Sequence, residues 1–286
     1  MEIQTRISQY SNYITIVIVI ILIAALGYIL SKNYRVNSKV ISNELNLPNN
    51  MIYQTDYCSP RLGVRKLVDF HIKSSHASAL SGFQKADYVS TDMIKNVLAN
   101  NVRYLEFSLF SKEQNNDSEP VVSSGYKRGN WKLTANVLSF REVLSVIKEY
   151  AFSEAFITNY NDPLFIYLDI KTEFKGTLNQ CADLIIQQIG DRILDNRYRY
   201  QHQNIADTPM CNLMDRIVIM SNSGFGGTRL EEFINISESN GNLQRLEYSD
   251  VIIRKNFNVN APDLLLKSNK ISFHKGIGIN YIQLND

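Results

Sequence analysis

The sequence has few of the residues that mark small disulfide-bonded or zinc-binding folds. Its three cysteines, Cys58, Cys181 and Cys211, are odd in number, far apart and in no CxxC pair. This arrangement favours reduced thiols over a disulfide framework or a zinc site. We therefore expect a reducing, cytosol-facing environment for most of the chain.

An excess of charge of either sign is also missing. Lys and Arg number 30 and Asp and Glu 28, which leaves a net charge of +2 in 286 residues. Proteins that bind nucleic acid through its phosphates carry a concentrated positive field, so nucleic acid is excluded as a partner. The apolar fraction of 44% and the chain length predict a globular protein with a buried core.

One long apolar run lies near the N-terminus. Residues 14–30, ITIVIVIILIAALGYIL, contain no charged side chain and approach the roughly 20 apolar residues that span a bilayer. We predict a short tail at 1–12, a transmembrane helix at 13–31 and a polar stalk at 32–60. A cleaved signal peptide is the alternative, although its apolar region is usually only about 7–15 residues long.

Basic residues follow this run more closely than they precede it. Lys32, Arg35 and Lys39 come directly after the apolar segment, and positive charge favours the cytoplasmic side of a span. We expect a single-pass membrane protein whose large C-terminal part faces the cytoplasm.

Beyond the stalk, strand-like apolar runs alternate with helical periodicity. The pattern predicts helices at 91–100, 139–152 and 178–194, and strands at 67–72, 103–110, 120–123, 164–170, 216–220, 250–253 and 276–284. Strands separated by helices indicate parallel βα units. We predict one barrel-like α/β domain over 61–286, with a polar linker at 195–212 between halves at 61–194 and 213–286.

Five sequence blocks, in order, resemble the X region of phosphatidylinositol-specific phospholipase C. They are SSHASAL, NNVRYLEFSLF, PVVSSGY, VLSFREVLSVIKEYAF and DPLFIYLDI, and they are similar to the family's SSHNTYL, CRxxELDxW, PxxYHG, FxxVLxxIxxYAF and PVILSLE. The resemblance covers residues 69–169. It implies a (β/α)8 TIM-like barrel of the phospholipase-C-like phosphodiesterase type, with its site at the carboxyl ends of the strands.

The family's chemistry needs two histidines on opposite sides of the phosphorus. One takes the proton of the attacking inositol 2-hydroxyl and the other protonates the leaving oxygen. His76 matches the first histidine by resemblance, and Ser124 occupies the position of the second. A serine cannot replace an acid/base group near neutral pH, and we expect the nearby Tyr126 and Lys127 to be poor substitutes.

The family's electrophile is also reduced. Eukaryotic members bind Ca²⁺ through Asn, Glu, Asp and Glu side chains, and the matching residues here are Ala77, Glu106, Ser108 and Asp169. Bacterial relatives use an arginine near the position of Ser108, and none stands there. Ca²⁺ prefers about 6–8 oxygen ligands. We therefore expect no cofactor beyond weakly held Ca²⁺ at Glu106 and Asp169.

The family's phosphate-binding lysines are missing as well. By resemblance they fall near Met220 and Asn222. The glycine-rich SNSGFGGTR at 221–229 offers backbone amides that could bind a phosphate with Arg229 beside them, although a lone glycine cluster is more often an ordinary βα loop.

Three functional hypotheses follow. The first is a membrane-anchored phospholipase-C-like protein that has lost phosphoinositide hydrolysis and binds a phospholipid headgroup or a protein partner. The alternative is an active phosphoric diester hydrolase that uses His76 with Glu106 or Asp169. A third is a viral or organelle membrane component, suggested by a composition biased towards Ile, Asn, Lys and Tyr.

Overall fold

The computed structural model describes residues 13–31, 65–67, 72, 74–80, 88–202 and 205–237. The chain divides into two compact units, Met1–Val40 and Ile41–Asp286.

In the first unit, helix α1 spans Tyr13–Ser31 with a mean hydropathy of 2.9, and none of it is buried. Its length and composition suit either a membrane span or a signal sequence. The apolar helix is therefore confirmed, while its role stays a prediction.

Within the second unit, the described residues form a sheet of seven strands, a two-stranded hairpin and three α-helices. The helices are α2 (Thr91–Ala99), α3 (Phe140–Tyr150) and α4 (Lys175–Ile189). The strands are β1 (Ser74–Ser75), β2 (Tyr104–Ser111), β3 (Pro120–Val122), β4 (Gly125–Tyr126), β5 (Trp131–Lys132), β6 (Leu138–Ser139), β7 (Leu164–Ile170), β8 (Ile217–Ser221) and β9 (Ile236–Ser237). Most predicted elements appear within a few residues of these bounds. The strand predicted at 67–72 falls largely outside the described residues.

Strands β1, β2, β7, β8 and β9 run parallel and lie next to one another in that order. Strands β3 and β6 extend the sheet antiparallel, beside the carboxyl end of β2. The connection at 112–119 is too short for a crossover helix, which accounts for the antiparallel pairing of β2 and β3. The predicted strands at 250–253 and 276–284 lie outside the described residues.

Local sequence signals set the helix starts. The Ser139 side chain accepts from the backbone at N3, and the Glu142 side chain accepts from the Ser139 N–H at 3.1 Å, which completes a capping box at the start of α3. Helix α2 begins after Ser90, whose Oγ accepts from Asp92 N at 3.1 Å.

The parallel sheet is apolar on both faces. Alternate residues of a strand point to opposite faces, and one face of β7 packs in the larger core cluster with all three helices through Leu164, Ile166, Leu168 and Ile170. The other face, called the inner face below, carries a smaller cluster that includes Tyr104, Phe165, Val218, Met220 and Ile236. Ile205 and Met210 join this cluster, so part of the segment predicted as a polar linker packs in the core.

A buried cation fastens the amino end of the sheet. Arg103 is 3% exposed, and its guanidinium donates to the carbonyls of Ala151 at 2.6 Å, Pro163 at 3.4 Å and Asp162. Burial lowers the pKa of Arg103 to about 10, so the group is charged at neutral pH.

The cysteines differ from the expectation of three reduced thiols. Cys181 is free and buried in the core, and burial raises the pKa of its thiol. Cys211, in contrast, is disulfide-bonded, which contradicts the prediction, and Cys58 lies outside the described residues. Disulfides are typical of oxidising compartments, so the cysteines no longer support a cytosolic environment.

Candidate active site at the carboxyl ends of the parallel strands

Polar side chains lie close together on three adjacent parallel strands. In the sheet register Glu106 of β2 is opposite Tyr167 of β7, and Ser108 is opposite Asp169. Asn222 follows β8 immediately. The period of two along each strand directs these side chains to the inner face, so the register brings together residues that are far apart in the sequence.

The loop after β1 is held to the backbone of Glu106 from both sides. Ser78 N donates to Glu106 O at 2.9 Å, and Glu106 N donates to Ser78 Oγ at 2.9 Å. Ser78 is fully buried, and Ala77 adopts a left-handed backbone with φ of 47°. These contacts fix the position of His76 relative to β2.

His76 and Glu106 form a close, largely enclosed pair. The His76 Nδ1 and Glu106 Oε2 atoms lie 2.7 Å apart, and the two side chains are 15% and 16% exposed. A carboxylate at this distance orients an imidazole and stabilises its protonated form. The pair has the geometry of a general base and the carboxylate that positions it.

Asp169 is surrounded by donors. Its Oδ2 accepts from Ser108 Oγ at 3.0 Å and lies 2.8 Å from Lys171 Nζ, and its Oδ1 accepts from Asn222 Nδ2 at 2.9 Å. The side chains of Asp169 and Lys171 are 17% and 27% exposed. Both carboxylate oxygens therefore already have partners from within the chain.

Sequence reasoning missed Lys171 and the role of Asn222. Lys171 stands two positions after Asp169, and residues at this spacing share a face of an extended strand, so this pair could have been found from spacing. The sequence identified Asn222 only as a position near which the family has a phosphate-binding lysine. Its contact with Asp169 depends on the register of β7 and β8, which no local pattern reveals.

These residues do not fit a calcium site. Ala77 has no side-chain donor atom, the Ser108 hydroxyl donates to Asp169, and Asp169 already pairs with an ammonium. Glu106 is engaged by His76. Ca²⁺ needs several oxygen ligands free to face it. In the part of the chain that the structure describes, no group of three or more His, Cys, Asp or Glu side chains could hold a metal.

Ser124 comes shortly after β3, which runs antiparallel to β2 and ends beside Ser108 and Leu109. The preceding Ser123 donates its backbone N–H to Ser108 O at 3.3 Å, and Ser124 O accepts from Leu133 N at 2.7 Å. Next in sequence, Gly125 permits a close approach of strands β4 and β5, since a Cβ there would lie 2.0 Å from Trp131 O. Backbone packing therefore accounts for this glycine.

Arg229 makes its contacts with helix α4. Its guanidinium pairs with Asp183 of α4, and its backbone N–H donates to Asn179 at 2.8 Å. In the same loop Gly227 N donates to Glu231 Oε2 at 2.9 Å, a bond that lowers the pKa of Glu231. This amide already has an anionic partner, so phosphate binding by Arg229 and the glycine-rich loop stays a prediction.

The comparisons with known proteins point to one family. Residues 65–223, more than half of the chain, match the family described as phosphatidylinositol-specific phospholipase C, X domain. No match was found among curated proteins.

Parts of the chain are also similar to solved structures. The PLC21 protein of L. pealei is 19% identical with a TM-score of 0.44, and the match covers 56% of this chain and 19% of that one. A calcium-dependent phosphoinositol-specific phospholipase C from a Pseudomonas species is 13% identical with a TM-score of 0.42, covering 65% and 70% of the two chains. This chain thus spans about a fifth of the L. pealei protein.

The family match agrees with the parallel strand order and supports an α/β fold of the TIM-barrel type; a closed barrel is not shown by the described residues. The chain belongs to the phosphatidylinositol-specific phospholipase C X-domain family.

Proposed function

We propose that this chain is a membrane-anchored member of its family that binds phospholipid headgroups without hydrolysing them through the family's calcium chemistry. The single observation that carries the proposal is the environment of Asp169, where Lys171, Ser108 and Asn222 occupy the carboxylate. A catalytic divalent ion would have to displace these donors. The site therefore keeps charge and hydrogen-bonding capacity without a place for the metal.

The second argument is the residue at the leaving-group side. Hydrolysis in this family needs a proton donor opposite the first histidine, and the sequence provides Ser124 there. Its hydroxyl can donate a hydrogen bond to a phosphate oxygen but is far too weak an acid to protonate an alkoxide efficiently near neutral pH. Such a residue suits binding better than turnover.

One observation favours a second candidate, a metal-independent phosphodiesterase. The 2.7 Å contact between His76 and Glu106 resembles the base and orienting carboxylate of hydrolytic enzymes. With the Lys171 ammonium stabilising charge on the phosphoryl oxygens, this pair could remove the proton from an attacking hydroxyl. The leaving oxygen would then need its proton from solvent, which predicts slow turnover.

The two candidates separate in a headgroup-release assay. The full-length protein in phosphatidylinositol mixed micelles is assayed with Ca²⁺ and with EGTA, beside Ser124→His and His76→Ala variants. We expect headgroup association without release by the unmodified protein under either condition. Release that His76→Ala abolishes would overturn the proposal, with Ca²⁺ dependence indicating family catalysis and persistence in EGTA indicating the second candidate.

The anchoring part of the proposal depends on α1. If α1 is an uncleaved span, the mature protein still contains residues 13–31 by N-terminal sequencing and stays in the membrane on alkaline extraction. If α1 is a signal peptide, the mature protein lacks these residues and is extracted. The basic residues after the helix favour a cytoplasmic domain, and the Cys211 disulfide favours an oxidising compartment. Protease protection in intact membranes decides between the two orientations.

A further inference from the structure

We infer that the Lys171 ammonium takes the place of a divalent cation in this site: it forms an ion pair with the Asp169 carboxylate and gives the site an affinity for phosphate groups that does not depend on a metal. The inference deepens the proposed function, on which it rests for the class of ligand.

The first step is geometric. Asp169 and Lys171 leave the same strand on the same face, and the Nζ to Oδ2 distance of 2.8 Å is that of a direct ion pair. Ser108 and Asn222 hold the carboxylate from neighbouring strands. The Asp169 carboxylate is therefore fixed in position, and it fixes the ammonium in turn.

The second step concerns the exclusion of metal. A divalent ion bound to Asp169 would lie within a few ångströms of the ammonium, and like charges at such separations repel strongly where burial limits screening. The pair is only 17% and 27% exposed, so water screens it incompletely. Glu106 could not compensate easily, because His76 occupies its Oε2.

The third step concerns the ligand. An ammonium has three N–H donors, and in the described part of the chain Asp169 is the side chain that takes one of them. The remaining exposure of Lys171 leaves room for an anionic oxygen.

The test is a metal titration that contains no lipid. Full-length protein in neutral detergent is titrated with Ca²⁺ by calorimetry and with Tb³⁺ by sensitised luminescence. Unmodified protein and Lys171→Arg should show no saturable binding over the titrated range, whereas Lys171→Met should bind saturably, with a dissociation constant at least about tenfold below the top of that range. The double variant with Asp169→Asn should lose this gain, and Lys148→Met, an exposed lysine of α3, should behave as unmodified protein.

A second arm uses inorganic phosphate in EGTA. Phosphate should bind the unmodified protein and Lys171→Arg, and roughly tenfold more weakly Lys171→Met, because one ammonium contact is lost. Circular dichroism establishes that Lys171→Met is folded.

Saturable Ca²⁺ binding by the unmodified protein, as tight as that of Lys171→Met, would overturn the inference. A Lys171→Arg variant that binds Ca²⁺ would overturn it too, even if Lys171→Met failed to fold. The proposed function is judged separately, by headgroup release, and could survive either outcome.

Discussion

Two cations lie at opposite ends of the same parallel sheet, and they differ in what surrounds them. Arg103 at the amino end is 3% exposed and bonded to backbone carbonyls from the end of α3 and the turn before β7. Lys171 at the carboxyl end is 27% exposed and bonded to one side-chain carboxylate. The first has no donor directed at solvent, and the second remains accessible.

The difference separates a structural charge from a functional one. The carbonyls around Arg103 lose their hydrogen bonds to water on folding, and the guanidinium supplies new donors in place of that water. The Lys171 ammonium bonds to a single side-chain carboxylate and is partly exposed, so it contributes less to folding than a fully enclosed guanidinium and can still meet a ligand. In barrels of this type, stability is associated with the amino end of the strands and chemistry with the carboxyl end.

The largest expected effect comes from the amino end. Arg103→Met should lower the free energy of unfolding by about 3–5 kcal/mol, because three buried carbonyls lose their donor. Urea unfolding of the full-length protein in detergent measures it. Arg192→Met is the matched control, since Arg192 also lies over the Phe152 ring but is 41% exposed and should cost less than about 1 kcal/mol. Equal losses for the two variants would remove the distinction made for Arg103.

A smaller effect is expected at the carboxyl end. Asp169→Ala should lower the free energy of unfolding by about 1–2 kcal/mol, because Ser108, Asn222 and Lys171 lose a shared acceptor that water partly replaces. Asp183→Ala removes an exposed ion pair with Arg229 and serves as control, with less than about 1 kcal/mol expected. A loss for Asp169→Ala as large as that for Arg103→Met would make the two ends equivalent.

The smallest effect concerns pH. Burial raises the pKa of Asp162 above its ordinary 3.8, although Arg103 and Asn159 lower it. The folded state therefore binds this proton more readily than the unfolded state, and the contribution of Asp162 to stability falls as pH rises through the folded value. Asp162→Asn should remove this pH dependence and stabilise the protein at pH 7 by less than about 1 kcal/mol. Urea midpoints across acidic and neutral pH measure it, and a variant less stable than the unmodified protein at pH 7 would show that pairing with Arg103 outweighs burial.

Local signals predicted the fold elements best where they were strongest. The helical periodicity at 139–152 located α3, and the apolar run at 164–170 matched β7. Short strands were not predicted. Strand β9 has only two residues, Ile236–Ser237, too few to show a strand pattern, and it is defined by its pairing with β8. The antiparallel direction of β3 was not predictable, because composition indicates a strand and says nothing about its orientation.

The candidate site was predictable in part. His76, Glu106, Ser124 and Asp169 were identified by resemblance, and the His76 to Glu106 contact is consistent with that alignment. Lys171, the positive partner of Asp169, was not predicted, because the resemblance points only to the positions where the family has its cations. Lys171, two positions after Asp169, supplies a positive charge from a different position in the sequence. Only the geometry of the strand shows that its ammonium contacts the Asp169 carboxylate.

The most direct test of the account is a calorimetric titration of the unmodified full-length protein with inositol 1-phosphate in excess EGTA, repeated in Ca²⁺. The account predicts saturable binding in EGTA, unchanged by Ca²⁺ and weakened by Lys171→Met. Binding that is absent in EGTA and appears only when Ca²⁺ is added would contradict it.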